Sequence, residues 1–226
     1  MRGRACTQRV KRYKNQVFLL GTRAVTRAKV FQWREYLDYL KFKENADMST
    51  VLKSALDIYN GESKGFAKVP DEKEVRECLL GSFMKDLIKE NVQQAIFKYS
   101  KAAESKSALQ WDLIAIKSAI EFCLNINSPA VLFTDIFSLF AQSGLETKFL
   151  QNLEPFILSG AFKKQAVPEA IVRKLLAYYE SREEFKALEK VLMKLDVTEH
   201  PRLKDELVVV CKVHCLIGGL MHLMST

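Results

Sequence analysis

The spacing of hydrophobic residues changes near residue 33, and this change separates two kinds of predicted element. Over residues 16–32, the short apolar run Val17–Leu20 and the β-branched residues after it predict a β-hairpin. From Trp33 onward, apolar residues recur every three or four positions, as on the buried face of a helix. The pattern predicts about ten helices, over about residues 33–44, 49–60, 71–99, 107–126, 129–143, 149–154, 168–180, 182–194, 202–213 and 215–224.

Residues 149–160 contain the clearest signals for a helix end. Phe149, Leu150 and Leu153 form an apolar stripe that precedes Pro155. Because proline lacks an amide hydrogen and clashes with the preceding turn, we expect the helix to kink or restart there. Gly160 then suits the left-handed conformation that closes a helix. A helix that ends in this way can turn back and pack antiparallel to the next one.

The predicted fold is all-α. Residues 33–226 are expected to form an irregular α-solenoid of antiparallel helix pairs, because the loops are short and no strict sequence period appears. Such pairs bury their apolar faces by stacking on neighbouring pairs. Residues 16–32 are expected to be a β-hairpin that is the remnant of a propeller's last blade. A hairpin of two strands is only marginally stable alone in water, which suggests that this sequence is a fragment of a larger sheet-containing protein. Residues 1–15 are predicted to be a basic, disordered leader.

The charge of the chain is concentrated at its N-terminus. The formal net charge is +8, and residues 1–29 hold nine basic and no acidic residues. Subtracting these nine from 35 basic residues leaves 26 against 27 acidic ones over the remainder. A basic end of this kind can meet an anionic membrane surface, with nucleic acid the less favoured partner. The predicted anionic-surface contacts are Arg2, Arg4, Arg9, Lys11, Arg12 and Lys14.

The cysteines and the hydropathy pattern indicate a cytoplasmic protein. Five scattered cysteines show no disulfide spacing, which fits a reducing compartment. Cys78, Cys123 and Cys211 fall in apolar stripes, where a free thiol behaves as a small hydrophobe. No apolar run approaches the roughly 18 residues of a membrane span, and no signal peptide is predicted.

Few residues suggest chemistry. Cys211, His214, Cys215 and His222 are the only group with the character of metal ligands, and buried thiols with polar-tipped histidines are the favoured alternative. No catalytic triad or phosphate-binding loop can be argued, so we predict no enzyme, no cofactor and no metal. Trp33, Tyr36, Phe66 and Phe162 are candidate partner contacts, because aromatic residues are frequent in interface hot spots. The alternative, which the sequence favours, is that these aromatics cover ridges of the solenoid core.

Several segments resemble a known family. They are Phe149-Leu150, Leu153–Leu158, Val167-Pro168, Tyr178-Tyr179, Leu188-Glu189 and Leu207 with Cys211. Together they resemble the clathrin-heavy-chain-like repeat region of the vacuolar protein sorting-associated protein 8 family. The resemblance spans about residues 16–226 and is most specific over 146–215. Val17–Gly21 followed by Trp33-Arg34 looks like that family's passage from propeller to solenoid.

The resemblance implies a non-catalytic scaffold segment of CORVET, an endosomal vesicle-tethering complex that acts in endosome and vacuole (lysosome) trafficking and membrane fusion. It implies class C core subunits as partners, indirect contact with a Rab GTPase through family parts absent from this sequence, and a peripheral position on endosomal membranes. A HOPS-type or clathrin-like coat subunit is the alternative of the same class. A helical-repeat RNA-binding protein that uses the cationic N-terminus is the alternative of another class.

Overall fold

A computed structural model describes residues 9–13, 16–20, 25–29, 32–42, 48–63, 69–102, 108–163, 167–198 and 200–225. Within these residues the strands are β1 Arg9–Tyr13, β2 Gln16–Leu20 and β3 Val25–Lys29. The helices are α1 Trp33–Phe42, α2 Met48–Asn60, α3 Lys73–Ala102, α4 Ala108–Asn125, α5 Phe137–Gln142, α6 Glu146–Leu158, α7 Glu169–Ser181, α8 Phe185–Leu192, α9 Pro201–Val213 and α10 Ile217–Ser225. A π-helical segment, Val131–Ile136, leads directly into α5. Beyond a short N-terminal sheet the described chain is helical, so the prediction of an all-α fold is confirmed.

The three strands form one antiparallel sheet in the order β1-β2-β3. The central strand β2 pairs with both neighbours, so that Leu20 lies opposite Arg9 of β1 and Val25 of β3. The prediction that residues 1–15 form a disordered leader is wrong for residues 9–13. Their pairing with β2 satisfies backbone groups that a two-stranded hairpin would have left at its edge. The predicted hairpin is therefore a three-stranded sheet.

The chain divides into two compact units, residues 1–82 and 83–226, and the boundary lies inside α3. The sequence had placed the division between the sheet and the helices at residue 33. In the first unit, α1 packs against α2. Their contact buries one apolar stripe from each helix: Trp33, Leu37, Val51, Leu52, Ala55, Ile58 and Tyr59.

A buried arginine ties the end of α2 to the beginning of α3. Arg76 is only 6 % exposed. Its Nε donates a hydrogen bond of 2.8 Å to the carbonyl of Tyr59, and its Nη2 donates one of 3.1 Å to that of Asn60. Its Nη1 donates to the carbonyls of Pro70 and Asp71 at 3.0 and 2.8 Å. The last carbonyls of a helix have no partner inside the helix, and a cation there also opposes the negative end of the helix dipole.

Gly61 makes room for this arginine. Its φ of +79° is left-handed, and an added Cβ would lie 2.8 Å from the Arg76 guanidinium carbon. Glycine is the residue that tolerates both the positive φ and the close approach of the guanidinium. The sequence predicted that α2 ends before Gly61, which is confirmed, but it did not predict what closes the end.

The sequence predicts two apolar lines along α3, one at Val75, Leu79, Phe83 and Leu87 and the other at Leu80, Met84, Ile88, Val92, Ile96 and Tyr99. The buried side chains are Leu80, Met84, Leu87, Ile88 and Val92. The first line is therefore buried only at Leu87, whereas Val75 and Leu79 are exposed. Cys78, on the same line, is also exposed, so the prediction that its thiol behaves as a buried hydrophobe is wrong. Cys123 and Cys211 are buried as predicted.

In the second unit, alternate helices stack in series: α4 contacts α6, α6 contacts α8, and α8 contacts α10. The consecutive helices α5 to α8, and α9 with α10, also contact each other. This is the packing of a helical-repeat protein, in which each layer covers the apolar face of the next. Large buried side chains fill the layers: Phe122, Phe140, Phe149, Leu153, Tyr179, Leu188, Leu207 and Leu223. The predicted packing of helix pairs is therefore confirmed within this unit.

The predicted break at Pro155 is wrong. α6 runs without interruption over Glu146–Leu158. Pro155 is exposed and close to the end of the helix, where water can solvate the carbonyl that loses its amide partner. The predicted role of Gly160 is confirmed, since its φ is +77°. The amide of Ala161 donates to the carbonyl of Phe156 at 3.0 Å, and the amide of Gly160 donates to the carbonyl of Ile157 at 2.9 Å. This pair of hydrogen bonds closes the helix in a Schellman motif.

Two details of the next helices differ from the prediction. The helix expected from Pro129 begins with the π-helical segment, which the apolar spacing did not indicate. Because residues 107–126 are apolar nearly all round, the sequence predicts that neighbours cover α4 on both sides, yet Ile114 is 55 % exposed. Periodicity reports which side chains are apolar, and it does not report whether a neighbour covers them.

Candidate interaction surfaces

An apolar face is exposed on the last helix pair. In the described part of the chain, five of its side chains are between 58 % and 73 % exposed: Val209, Val213, Ile217, Met221 and Met224. They follow helical spacing along α9 and then along α10. Single exposed apolar residues are common, but a group of this size is typical of an interaction site. We refer to these residues as the α9–α10 apolar face.

α10 is apolar on two sides, of which one is buried and the other exposed. It contains no Asp, Glu, Lys or Arg, and its inner positions Gly219 and Leu223 are buried. The first-turn amides of Gly218 and Gly219 donate to Oε1 of Glu189 on α8, at 2.7 and 3.4 Å. This carboxylate satisfies amides that have no partner inside the helix and favours the positive end of the helix dipole. From sequence alone, Gly218-Gly219 predicts a poor helix interior, and nothing in the sequence indicates Glu189 as the partner of these amides.

The glycine pair also allows close packing. A Cβ added at Gly219 would lie 3.2 Å from Sγ of Cys211 on α9. Burial raises the pKa of the Cys211 thiol, and the nearby Glu189 carboxylate adds to the shift. The inner side of α10 is thus tightly packed, and its outer side carries three residues of the apolar face.

A polar cleft of about 480 Å³ lies between α6 and α7. Lys174 on its wall lies 2.6 Å from Oε1 of Glu146. Arg182 lies 2.8 Å from Oε1 of Glu184 and 5.3 Å above the ring of Tyr178. Each of these cations is already paired with a carboxylate, so the cleft offers little net charge to a ligand.

An ion cluster joins α7 to α9. The Arg173 guanidinium pairs with both carboxylate oxygens of Glu206 and, within α7, with Glu169 at 2.7 Å. The hydrogen bond from Arg173 lowers the pKa of Glu206. The same bond, followed by that to Glu169, raises the pKa of Arg173. This cluster links helices and leaves no unpaired charge for chemistry.

The structure separates the four predicted partner contacts. Trp33 and Phe162 are buried, so the prediction that they anchor a partner is wrong and the core alternative describes them. The ring of Phe162 packs 5.5 Å from that of Phe133, measured between centroids. Tyr36 is half-buried, and its role stays a prediction. Phe66 lies outside the described residues.

The predicted anionic-surface contacts are also divided. Arg2, Arg4 and Lys14 lie outside the described residues. Arg9, Lys11 and Arg12 belong to β1. The strand register decides which of these three share a face of the sheet.

The histidines and cysteines near the C-terminus have separate surroundings. Cys211 is buried, and Cys215 is exposed in the turn between α9 and α10. His214 stacks on Phe185 with ring centroids 3.8 Å apart, and Nε2 of His222 lies 3.3 Å from a backbone carbonyl that follows α8. Across the described residues, no group of three or more His, Cys, Asp or Glu side chains is placed to hold a metal ion. Among the described helices, none is both long enough and apolar enough to cross a membrane.

Residues 148–226, from α6 to the end of α10, match the family model described as the Vps8 central TPR. This chain is similar to the Vps8 family. The match confirms the resemblance predicted from residues 146–215, although its description names TPR repeats and not clathrin-heavy-chain repeats.

Curated relatives extend the likeness to most of the chain. The vacuolar protein sorting-associated protein 8 homologs of Homo sapiens and Mus musculus are each 21 % identical over 223 residues, which cover 98 % of this chain. The chain spans 15 % of the length of these Vps8 relatives. No solved structure gives a significant match to it.

Proposed function

We propose that this chain is a non-catalytic scaffold segment of a CORVET-like endosomal tethering complex, acting in protein traffic to the endosome and vacuole (lysosome) and in membrane fusion. The observation that carries the proposal is the serial stack α4-α6-α8-α10, of which α6, α8 and α10 lie in the region similar to the Vps8 central TPR. A stack of helices acts by holding surfaces at set distances, with about 10 Å per packed layer. Such a role requires contact surfaces and no reacting groups.

The α9–α10 apolar face is the proposed contact for a class C core subunit. The inner side of α10 packs against α8, as α8 packs against α6. An amphipathic helix of the partner would continue the same packing on the outer side. The absence of charge on α10 supports an apolar contact, since no side chain with a formal charge would have to be desolvated. In this proposal contact with a Rab GTPase is indirect, and the chain is cytoplasmic and peripheral to the endosomal membrane.

Affinity purification of the tagged chain from cells, with the tethering subunits quantified by mass spectrometry, tests the proposal. We expect class C core subunits to be recovered with the unchanged chain. Replacing Val213 and Met221 by glutamate should reduce their recovery at least about tenfold, because apolar contact area would be replaced by buried charge. Ile114→Glu is the matched control, as it places the same charge at an exposed apolar position of α4.

Circular dichroism of each variant shows whether its helices are retained. Recovery of no tethering subunit by the unchanged chain would overturn the scaffold proposal. Equal loss with Ile114→Glu would overturn the assignment of the contact to the α9–α10 apolar face. Recovery of subunits specific to HOPS or of coat proteins in place of the CORVET set would favour the alternative scaffold of the same class.

A further inference from the structure

The strand register gathers most basic residues of the described sheet onto one face. Residues directly opposite each other in an antiparallel sheet share a face, and successive residues alternate between faces. One face therefore consists of three rows across β1, β2 and β3: Arg9-Leu20-Val25, Lys11-Phe18-Arg27 and Tyr13-Gln16-Lys29. We call these nine positions the basic face.

The opposite face has a different composition. Its positions are Val10, Arg12, Val17, Leu19, Thr26 and Ala28, so it carries one basic residue against four on the basic face. Neither face has an acidic residue, because residues 1–29 contain none. The sequence alone had grouped Arg12 with Arg9 and Lys11 and had omitted both cations of β3. The register removes Arg12 from that group and adds Arg27 and Lys29.

The four basic positions lie close enough to act together. Neighbouring strands are about 4.8 Å apart and residues two apart along a strand about 7 Å. Lys11 and Arg27, which share a row, are therefore about 10 Å apart across the sheet, and Arg9 and Lys29, which are two rows apart, are about 17 Å apart. The nine positions of the basic face thus include four cations and no carboxylate.

The basic face also has apolar positions between and beside its cations. Phe18 lies in the middle row, and Leu20 and Val25 lie in the row that contains Arg9. Val25 is 62 % exposed, and Phe18 is half-buried. A membrane interface accommodates both kinds of residue, since cations meet the anionic headgroups and apolar side chains enter the boundary below them. A nucleic acid would engage the cations and rings but would offer no apolar environment to Leu20 or Val25.

We propose that the basic face binds the surface of a bilayer that contains anionic phospholipids. The inference rests on the proposed function, which places the chain beside an endosomal membrane. Binding through Arg9, Lys11, Arg27 and Lys29 would orient the sheet on the bilayer. The helices would then be left to contact other subunits.

Co-sedimentation of the whole chain with phosphatidylcholine vesicles, with and without phosphatidylserine, tests this inference. We expect binding to the anionic vesicles only, and we expect it to weaken as salt is added. Arg27→Gln should weaken binding about fivefold, the effect of one basic residue near an anionic surface. Arg12→Gln is the matched control, since it removes the same charge from the other edge strand on the opposite face, and it should change binding less than about twofold.

Equal effects of Arg27→Gln and Arg12→Gln would overturn the assignment to one face. Equal binding to neutral and anionic vesicles would overturn the proposal that the basic face recognises anionic phospholipids. Tighter binding of a single-stranded RNA oligonucleotide, with the same dependence on Arg27, would replace the membrane by RNA as the ligand. Recovery of class C core subunits is measured in parallel and should not change with Arg27→Gln, so failure here is distinguishable from failure of the scaffold proposal.

Discussion

Replacing Arg76 by methionine tests whether a buried guanidinium holds the end of α2 closed. Methionine keeps an unbranched apolar side chain, so packing of the stem is largely retained. The substitution removes the donors to four backbone carbonyls at 2.8 to 3.1 Å. The carbonyl of Tyr59 is in buried surroundings and would lose this donor, whereas water can reach the other three carbonyls in part.

The expected cost follows from these contacts. A hydrogen bond contributes about 1 kcal/mol net, and a buried polar group left without a partner costs about 1–3 kcal/mol. Allowing for partial replacement by water, we expect the free energy of opening α2 to fall by about 3 kcal/mol. Hydrogen exchange of α2 amides should then accelerate about 150-fold where exchange follows the opening equilibrium, since about 1.4 kcal/mol corresponds to a factor of ten.

Hydrogen exchange followed by mass spectrometry measures this effect in a peptide that covers α2, with a peptide from α9 as the internal reference. Lys73→Met is the matched control, because it removes an exposed cation of α3 whose pair with Glu77 is 3.6 Å long. We expect that control to change the opening free energy by less than about 0.5 kcal/mol. Similar exchange in the Arg76 and Lys73 variants would refute the reasoning.

Two further predictions concern an ion pair and a thiol. Because Arg173 lowers the pKa of Glu206, their pairing stabilises the fold fully above the pKa of an unfolded glutamate, about 4.3, and this stabilisation is lost as pH falls through the lower folded-state pKa. Arg173→Gln should therefore lower the thermal unfolding midpoint near pH 7, and its difference from the unchanged chain should shrink below about pH 4. Burial, and secondarily the Asp135 carboxylate, raises the pKa of Cys123 to about 12. Iodoacetamide at about pH 8 should label exposed Cys215 in the folded chain and leave Cys123 unmodified, as read by peptide mass spectrometry.

Each of these two predictions has a control within the same chain. Lys117→Gln removes one member of an exposed pair with Glu121 at 3.8 Å and should show no comparable pH-dependent difference. A constant effect of Arg173→Gln down to about pH 3 would contradict the linkage argument. Labelling of Cys123 as fast as Cys215 would contradict the burial of α4, whereas denaturant should make both thiols reactive.

The helices and several of their ends could be predicted from sequence because the signals are local. Apolar residues at helical spacing identified the segments that became α1 to α10, since that spacing places them on one face whatever the partner. Gly61 and Gly160 could be identified as helix ends because both adopt a positive φ that glycine tolerates best. The prediction at Pro155 was wrong because the cost of a proline inside a helix depends on whether water can solvate the carbonyl four residues before it, which has lost its amide donor. Where α6 packs decides whether water reaches that carbonyl.

Burial and the sharing of a face could not be predicted in the same way. Phe162 reads as a candidate anchor by residue type, yet it is covered by an aromatic residue about 30 positions away. Arg76 reads as a surface cation, yet carbonyls from two other segments enclose it. The aromatic or charged nature of a side chain is set by its own chemistry, whereas its surroundings depend on segments that the sequence does not place next to it.

The sequence by itself determined the composition of the basic N-terminal segment, the helical periodicity after residue 33 and the resemblance to the Vps8 family. All three depend on residue identity and on short-range spacing. Only the tertiary structure decided that α10 is covered by α8 on one side and open on the other, and that Arg9 shares a face with Arg27 and not with Arg12. Those relations arise from strand register and helix stacking, which bring together residues whose separation along the chain carries no information about their contact.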